Sequence, residues 1–479
     1  ATFAQMERLA ERLYEVCPGV WCMVGNGLSN QTFVAAPDGL IVIDTGESVE
    51  EMAAALAAVR THTDLPVDAV IYSHFHYCNG TTALLDESAA APPIWGHARI
   101  EHNLERNSVE VGPAAGRGLV HQFGMLLPTD GPDGLVGVGL GRFYKNPAHG
   151  AGTPGHLPVT HPVDDRVEVD IAGARVRLSP APSDADDNIT IVFPDLGVCV
   201  NNLVWPTLFN VFPIRGEEYR DPRILITGME EILAVSPEHL VGAHGPPLSG
   251  AAEIRDVVED ARDAIQFLWD QTVRGINKDL VAGELVEFVQ LPERFERTHV
   301  TQQHYGLVEH HVRQIHAGLR GWFDGDEATL FPLPTAERAA RLIEGFGGRE
   351  AVAAQYFQHL GDVEEIELPE DPPNRIHSWH LFPIRLNLDR LGVDRNAMLA
   401  TLRDNGVGCS VHWRPLDLHP YYRETFGWKA ADLPVATAQW QRLISLPIFP
   451  GMTSEELTHV GQVVRGLCRQ HRVRGTQDG

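Results

Sequence analysis

Two histidines stand two residues apart, His74 and His76, in the stretch YSHFHYCNG at 72–80. They follow an apolar run, VDAVIYS at 67–73. Side chains two residues apart on extended chain point the same way, so both imidazoles can reach one ion in a tetrahedral or facial site. Such a pair standing alone is more often structural than metal-binding; what precedes and follows it decides. Cys78, two residues further on, offers a soft thiolate, which suits zinc or iron better than magnesium. Its competing role is that of a small buried side chain filling space.

A metal loop needs a strand to carry it. The segments VWCMVGN, QTFVAAPDG and LIVIDTG alternate between 20 and 46, with Pro-Asp-Gly at 37–39 marking a hairpin turn. Residues 50–60 read as a helix and 67–73 as a buried strand. Residues 124–160 are rich in glycine and proline, with little periodicity, as in a long functional loop. The segment 166–180 reads as a hairpin and 189–200 as two short strands. Helices are expected at the N-terminus (ATFAQMERLAERLYEV, a helix rather than a signal peptide), at 251–275, at 307–320 and at 335–345.

Composition narrows the partners. A net charge of −26 over 479 residues repels phosphate backbones and anionic lipid, so neither nucleic acid nor a membrane surface is an expected partner. No apolar run is long enough to span a bilayer. The six cysteines are scattered without a CxxC pair, which favours a reducing, cytoplasmic setting.

LIVIDTG, the YSHFH loop and GAHGPP at 242–247 occur in the order found in the metallo-β-lactamase fold, an αββα sandwich of class α/β. Within that superfamily, residues ~5–350 resemble the alkylsulfatases, enzymes that cleave alkyl sulfate esters with two zinc ions. The resemblance rests on FGMLLPTDGPDGLVGVGLG (123–141), TLFNVFPIRGEEYRD (207–221), VGAHGPPLSG (241–250) and YGLVEHHVRQIHAGLRGWFDGDEATLFPLPTAERAARLIEGFGG (305–348). It implies a first metal on His74, His76 and Asp184, with Asp186 or Asp187 as alternatives to Asp184. The second metal's positions read Cys78, Asn79, Asn202 and His244, of which only His244 is a good ligand. One divalent metal is therefore expected, zinc or iron. His74, His76, Asp184 and His244 are the expected catalytic group. Asn210 and Arg215 hold the family's sulfate-binding positions, and the planar guanidinium fork of Arg215 suits a tetrahedral oxyanion. The alternative for Arg215 is a structural role, capping a helix or pairing with Asp221. VGVGLG (136–141) would let backbone approach a ligand.

After about residue 350 the resemblance changes. HSWHLFPIRLNL, GVGCSVHWRPLDLHPYYRETFGW and QRLISLPIFPGMTSEEL, within ~365–472, resemble the small C-terminal domain of the DegT-type sugar aminotransferases. Here 376–388 and 407–413 read as strands, 395–406 as a helix, and VATAQWQRLISLP and TSEELTHVGQVVRGLCRQ as two more helices. The lipid-carrier-like domain that usually ends alkylsulfatases is not seen at this place. The transaminases' large domain is missing too, and Lys145, Lys278 and Lys429 lie in no setting that suits an internal aldimine, so pyridoxal phosphate is not expected. His412, Arg414, His419 and Tyr421 could touch a substrate or be ordinary surface residues.

The expected division is a catalytic domain at 1–250, a truncated helical dimerisation segment at 251–350 and the C-terminal module at 351–479. The expected activity is metal-dependent action on a polar sulfated or other small anionic molecule, by hydrolysis or sulfuryl transfer, in specialised metabolism and with a homodimer possible. Two rivals stand beside it: a mononuclear non-haem Fe(II), oxygen-using enzyme on the same scaffold, and a non-catalytic binding or scaffold protein.

Overall fold

The computed structural model describes residues 2–87, 91–150, 152–324, 330–345, 348–371, 374, 377–429, 432–449 and 451–473. These form two compact units, divided between Leu330 and Phe331.

In the first unit two sheets face each other. The first runs in sequence order: β1 (Arg12–Cys17), β2 (Val20–Val24), β3 (Gln31–Ala35), β4 (Leu40–Ile43), β5 (Val67–Ile71), β6 (Ile94–His97) and β7 (His161–Val163). It is antiparallel through β4 and parallel from β4 to β7. The second contains β8 (Val167–Ile171), β9 (Ala174–Pro180), β10 (Ile189–Phe193), β11 (Val198–Asn201), β12 (His239–Gly242) and β13 (Leu248–Ser249), in the spatial order 13-12-11-10-9-8. Strands β2, β4, β10 and β11 are buried along their whole length, as strands covered on both faces must be.

Val34, Ile41, Ile43 and Ile71 meet Leu178, Ile189, Ile191 and Val200 between the sheets. On the outer face of the first sheet, Phe33, Val42 and Val70 pack against Met52, Ala55 and Val59 of α2 (Val49–Val59). On the outer face of the second, Val192, Cys199 and Leu240 pack against α5 (Pro222–Val235), α6 (Ala251–Ile276) and α8 (Val308–Arg320); α3 (Ile100–Val109), α4 (Gly112–Gln122) and α7 (Ala282–Phe288) belong to the same unit. This is the αββα sandwich.

The Pro37-Asp38-Gly39 turn joins β3 to β4 antiparallel, as the turn chemistry requires. The N-terminal helix, α1 (Thr2–Arg8), is shorter than expected. Its supposed second half, RLYEVC, is strand β1, paired with β2; cross-strand pairing outweighs the helical preference of its Arg and Glu. In VGVGLG, Leu140 lines the cavity beside His76, while two of the glycines have packing roles. A Cβ on Gly137 would strike the Met6 sulfur, and one on Gly139 the His304 backbone, so these glycines serve protein packing.

The second unit holds a three-stranded sheet, β14 (Ile366–Glu367), β15 (Phe382–Leu386) and β16 (Leu443–Leu446). Tyr356, Phe382, Ile384, Ile444, Leu457 and Val464 belong to its core. The helices at Arg395–Asp404 and Ser454–His471 fall where expected, the latter opened by a Thr453–Glu456 capping box. Two expectations fail. VGCSVHW is not a strand but touches the sheet through a single Ser410–Ser445 bridge. The helix read over VATAQWQRLISLP ends at Trp440, because LISL completes the sheet as β16 beside β15. Ile376, where the expected strand 376–388 begins, lies outside the described residues.

Candidate metal centre

β4 and β5 run parallel, so their C-terminal ends lie side by side and deliver both loops of the site to one rim. Asp44 follows β4 and fastens the loop after β5. Its carboxylate accepts the Ser73 backbone N–H at 2.7 Å and the Ser73 hydroxyl at 2.6 Å. The Ser73 oxygen also meets Nδ1 of His74 at 2.8 Å. With Asp44 ionised, the Ser73 proton goes to Asp44 and the Ser73 oxygen accepts from Nδ1–H. The His74 Nε2 lone pair then points toward Asp184 and the Asn202 amide. Burial holds His74 neutral, at about 3, and raises Asp44 to about 7.

His76 presents Nδ1 to Asp184, 3.2 Å away, and His74 presents Nε2 to the other oxygen of Asp184 at 3.6 Å. One donor atom of each of these three residues lies within 4.8 Å of the others. Bonds of ~2.0–2.1 Å to a tetrahedral ion put ligand atoms about 3.3–3.5 Å apart, so the donor set fits one dication. Asp184 is brought there by the β9–β10 loop, itself tied to the His loop by Ile189 N–H to Ser73 O, 2.8 Å. Burial opposes ionisation of Asp184, but the two imidazoles outweigh it and hold the carboxyl well below its usual range.

Two charged residues that the sequence reading passed over complete this corner. Glu217 accepts from Nε2 of His76 at 2.9 Å, fixing the ring from its far side. Arg220 donates to Glu217 at 2.5 Å and to the backbone oxygen of Asn210 at 2.6 Å. Burial opposes protonation of His76, but Glu217 and Asp184 reverse the effect and raise it to about 9. The only sequence signal was RGEEYR itself, with three complementary charges at 215, 217 and 220.

The other expected ligands are brought near but turned elsewhere. The Cys78 thiol donates to the Phe75 carbonyl, and burial pushes its pKa well up. Asn202 accepts the Trp205 indole N–H on Oδ1 at 2.8 Å. Indole only donates, so the amide orientation is fixed. Its NH2 therefore faces the cluster, donating to Asp184 at 2.7 Å and lying 3.4 Å from His74 Nε2. A donor aimed where a carboxylate would stand does not hold a cation. His244 is locked between the Leu28 carbonyl (2.9 Å) and the Tyr77 hydroxyl (3.2 Å on Nε2), so the atom that would bind metal is occupied by a phenol. Asn79 lines the neighbouring cavity. The second donor set does not fit a metal.

That cavity, of about 330 Å³, is lined by His76, Tyr77, Asp184 and Arg215 on its polar side and by Phe123 and Trp205 on its apolar side. The Arg215 guanidinium is paired with Glu217 and lies 3.2 Å from His76 Nε2. It does not pair with Asp221, which caps α5 and binds Arg223. Gly118 of α4 makes room for this loop, since a Cβ there would stand 2.5 Å from the Arg215 Cα. Asn210 is buried with its side-chain oxygen on the Phe212 N–H (2.9 Å), outside the residues lining the cavity. In the second unit His412 meets Ser445 and His419 meets the Arg414 carbonyl, while Tyr421 is exposed. Asp186 bonds Arg99 and Asn103 rather than the histidines, and Asp187 is buried outside the cluster.

Three family profiles match the chain. They are the metallo-beta-lactamase superfamily over 24–167, alkyl sulfatase dimerisation over 282–366, and the DegT/DnrJ/EryC1/StrS aminotransferase family over 337–465. A linear primary-alkylsulfatase of Pseudomonas sp. (strain ATCC 19151) is 37% identical over 327 residues, 67% of this chain and 61% of its own length. The first part of the chain is of the alkylsulfatase type. It spans under two thirds of the length of that relative. The stereoselective inverting sec-alkylsulfatase Pisa1 of Pseudomonas sp. superposes with a TM-score of 0.68 at 24% identity, over 75% of this chain and 58% of its own, which shows the shared fold. The C-terminal segment is similar to the spore coat polysaccharide biosynthesis protein SpsC of Bacillus subtilis, 33% identical over 149 residues, 30% of this chain and 38% of that protein. Among the described residues no helix is long and apolar enough to cross a membrane.

Proposed function

We propose that this chain is a metal-dependent hydrolase of small sulfate esters that works with one metal ion, held by His74, His76 and Asp184. The observation that carries the reading is the contrast in donor sets: three converging ligand atoms beside a second set already satisfied by protein hydrogen bonds. A dication bound there would act as a Lewis acid and lower the pKa of a bound water toward neutrality.

The chain's own groups do the rest. Ser73 and Glu217 hold the two imidazoles in fixed orientation. Arg215, at the cavity wall, supplies positive charge for the sulfate head once Glu217 shares it with His76 and Arg220. Phe123 and Trp205 give the organic part of the ester an apolar wall. We assign this chemistry to residues 1–250, a pairing role in a homodimer to 251–350, supported by the dimerisation profile, and an accessory role to 351–479.

Metal analysis of freshly purified protein and sulfate release from short-chain sulfate esters test the reading. About one zinc per chain with sulfate released supports it; two metals per chain overturn the mononuclear part. Two histidines and one carboxylate are also the ligand set of non-haem Fe(II) oxygenases. Turnover with Fe(II) and oxygen, and none with zinc, would move the chain to that class.

A further inference from the structure

Glu47 stands on the cavity wall with no structural task that explains it. It lies immediately before Ser48, the N-cap of α2, whose hydroxyl accepts the Glu51 N–H. Glu50 and Glu51 already place acidic side chains in the first turn. The position before an N-cap ordinarily carries an apolar residue that packs against the fourth helical residue, here Met52. A carboxylate in that place forgoes the packing. Gly46 turns the chain there with φ +73° and bridges to Cys78, so Glu47 comes to lie beside the histidine loop.

The carboxylate has no ion-pair partner within 4 Å among the described residues. Tyr144 stands beside it on the cavity wall, and Lys145, Arg215 and His76 act on it only at longer range. Burial outweighs all of them and raises it to about 7. Holding a carboxyl group in a cavity without a counter-ion is costly unless something hydrogen-bonds to it there. Tyr144 is itself fixed by stacking on Phe123, with ring centroids 4.6 Å apart and planes 6° from parallel. Glu47, Tyr144 and Asn79 therefore give the cavity a polar acceptor wall, in addition to Arg215.

We propose that Glu47 sets substrate specificity by accepting a hydrogen bond from a hydroxyl of the substrate's organic part, so that the preferred substrates are hydroxylated, polyol- or sugar-like sulfate esters and not plain alkyl sulfates. This deepens the sulfate-ester reading and rests on it for turnover. An ammonium group is the weaker fit, because it would meet the positive field of Arg215 and Lys145 that already acts on Glu47. A hydroxyl carries no such penalty.

The test uses zinc-loaded full-length chain and three esters of equal length: hexyl sulfate, a hexitol monosulfate and 6-aminohexyl sulfate. The wild type should favour the hexitol ester over hexyl sulfate by about tenfold or more in kcat/KM, since a site built around a polar acceptor rejects the analogue that leaves it unpaired. In Glu47→Leu that ratio should collapse, chiefly through KM of the hexitol ester. Glu47→Gln, which keeps size and polarity, should reduce it partially and covers the case in which the leucine variant fails to fold. An unchanged ratio in the folded variants, or a wild-type preference for the hexyl or aminohexyl ester, overturns the proposal.

Calorimetric binding of the sulfate-free hexitol separates this from failure of the sulfatase reading. Binding to wild type that the Glu47 variants weaken sustains the subsite even if no ester is turned over. No binding together with no turnover overturns it.

Discussion

A trio and a quartet of side chains lie around the same rim, and only the trio is organised for a cation. In the first, Asp184 draws on both His74 and His76, and each histidine is oriented from behind, by Ser73 and by Glu217. In the second, three of the four have found protein partners: Cys78 the Phe75 carbonyl, Asn202 Trp205 and Asp184, His244 the Leu28 carbonyl and Tyr77, while Asn79 faces the cavity. A ligand site needs lone pairs left unpaired at a common point; a satisfied core needs the reverse. Residue types alone do not separate the two states. His244 is as good a ligand by type as His74, but its Nε2 is already engaged by a phenol.

The largest effect that can break this comparison is loss of the first set. His74→Ala or Asp184→Ala should reduce bound metal from about one equivalent to almost none, and sulfate release by about 10³-fold or more, the scale expected when the Lewis acid is removed. His244→Ala should leave the metal content near one. If elemental analysis shows His244→Ala losing metal as His74→Ala does, the two sets are not distinct.

Next in size is the link between the sets. Asn202 belongs to the second group by position but orients Asp184 of the first by its amide N–H. Asn202→Ala should weaken zinc binding by about 10–100-fold, the usual cost of removing an outer hydrogen bond to a ligand. Competition with a chromophoric chelator measures it. No change would mean that Asp184 is held by its own loop alone.

Much of this arrangement was legible in the sequence. His74 and His76 could be read because a strand precedes them, but not for the reason of spacing: only His74 is extended, and a single 3-10 turn at Phe75–Tyr77 aims His76. The first sheet could be read because LIVI at 40–43 and AVIY at 69–72 are continuous apolar runs. Glu217 and Arg220 could not, because their meaning depends on a loop folding back onto His76, 141 residues away from Glu217 in the chain. Tyr77 was equally silent: its hydroxyl matters only because β12 delivers His244 to it, 167 residues on. The mistakes about RLYEVC and LISL share one cause. Each was read from its own composition, while a neighbouring strand decided its conformation.

A smaller effect, a twofold change in stoichiometry, comes from rebuilding the second set. Cys78→Asp, Asn79→His and Asn202→Glu together, with Tyr77→Ala to release His244, should raise bound zinc from about one toward two per chain. Each single change should not, because the remaining groups stay internally paired. Elemental analysis at a fixed zinc activity decides it. A quadruple variant that stays at one equivalent would locate the difference in the backbone of the loop, not in its side chains.

The smallest effect is the pH dependence of stability, in which His76 of the first set stands apart from the other histidines and responds to metal. In the metal-free protein, burial raises Asp44, Glu47 and Asp187 to about 7 and Glu51 to about 8, while Glu217 and Asp184, against burial, raise His76 to about 9. All five bind protons more tightly folded than unfolded, where carboxyls titrate near ~4 and histidine near ~6.5. Stability linked to them falls as pH rises, above ~4 for the acids and between ~6.5 and 9 for His76. His74 and His244, lowered by burial to about 3 and 4, act in the opposite direction, but only below ~6.5. From pH 6.5 to 9 the metal-free protein should therefore melt at steadily lower temperature. Metal on the first set requires His76 to give up a proton, so its affinity rises over the same range. The gap in melting temperature between zinc-loaded and chelated protein should widen by a few degrees from pH 6.5 to 9. A constant gap would mean that His76 is not titrating between Asp184 and Glu217, and the strongest electrostatic mark of the first set would be gone.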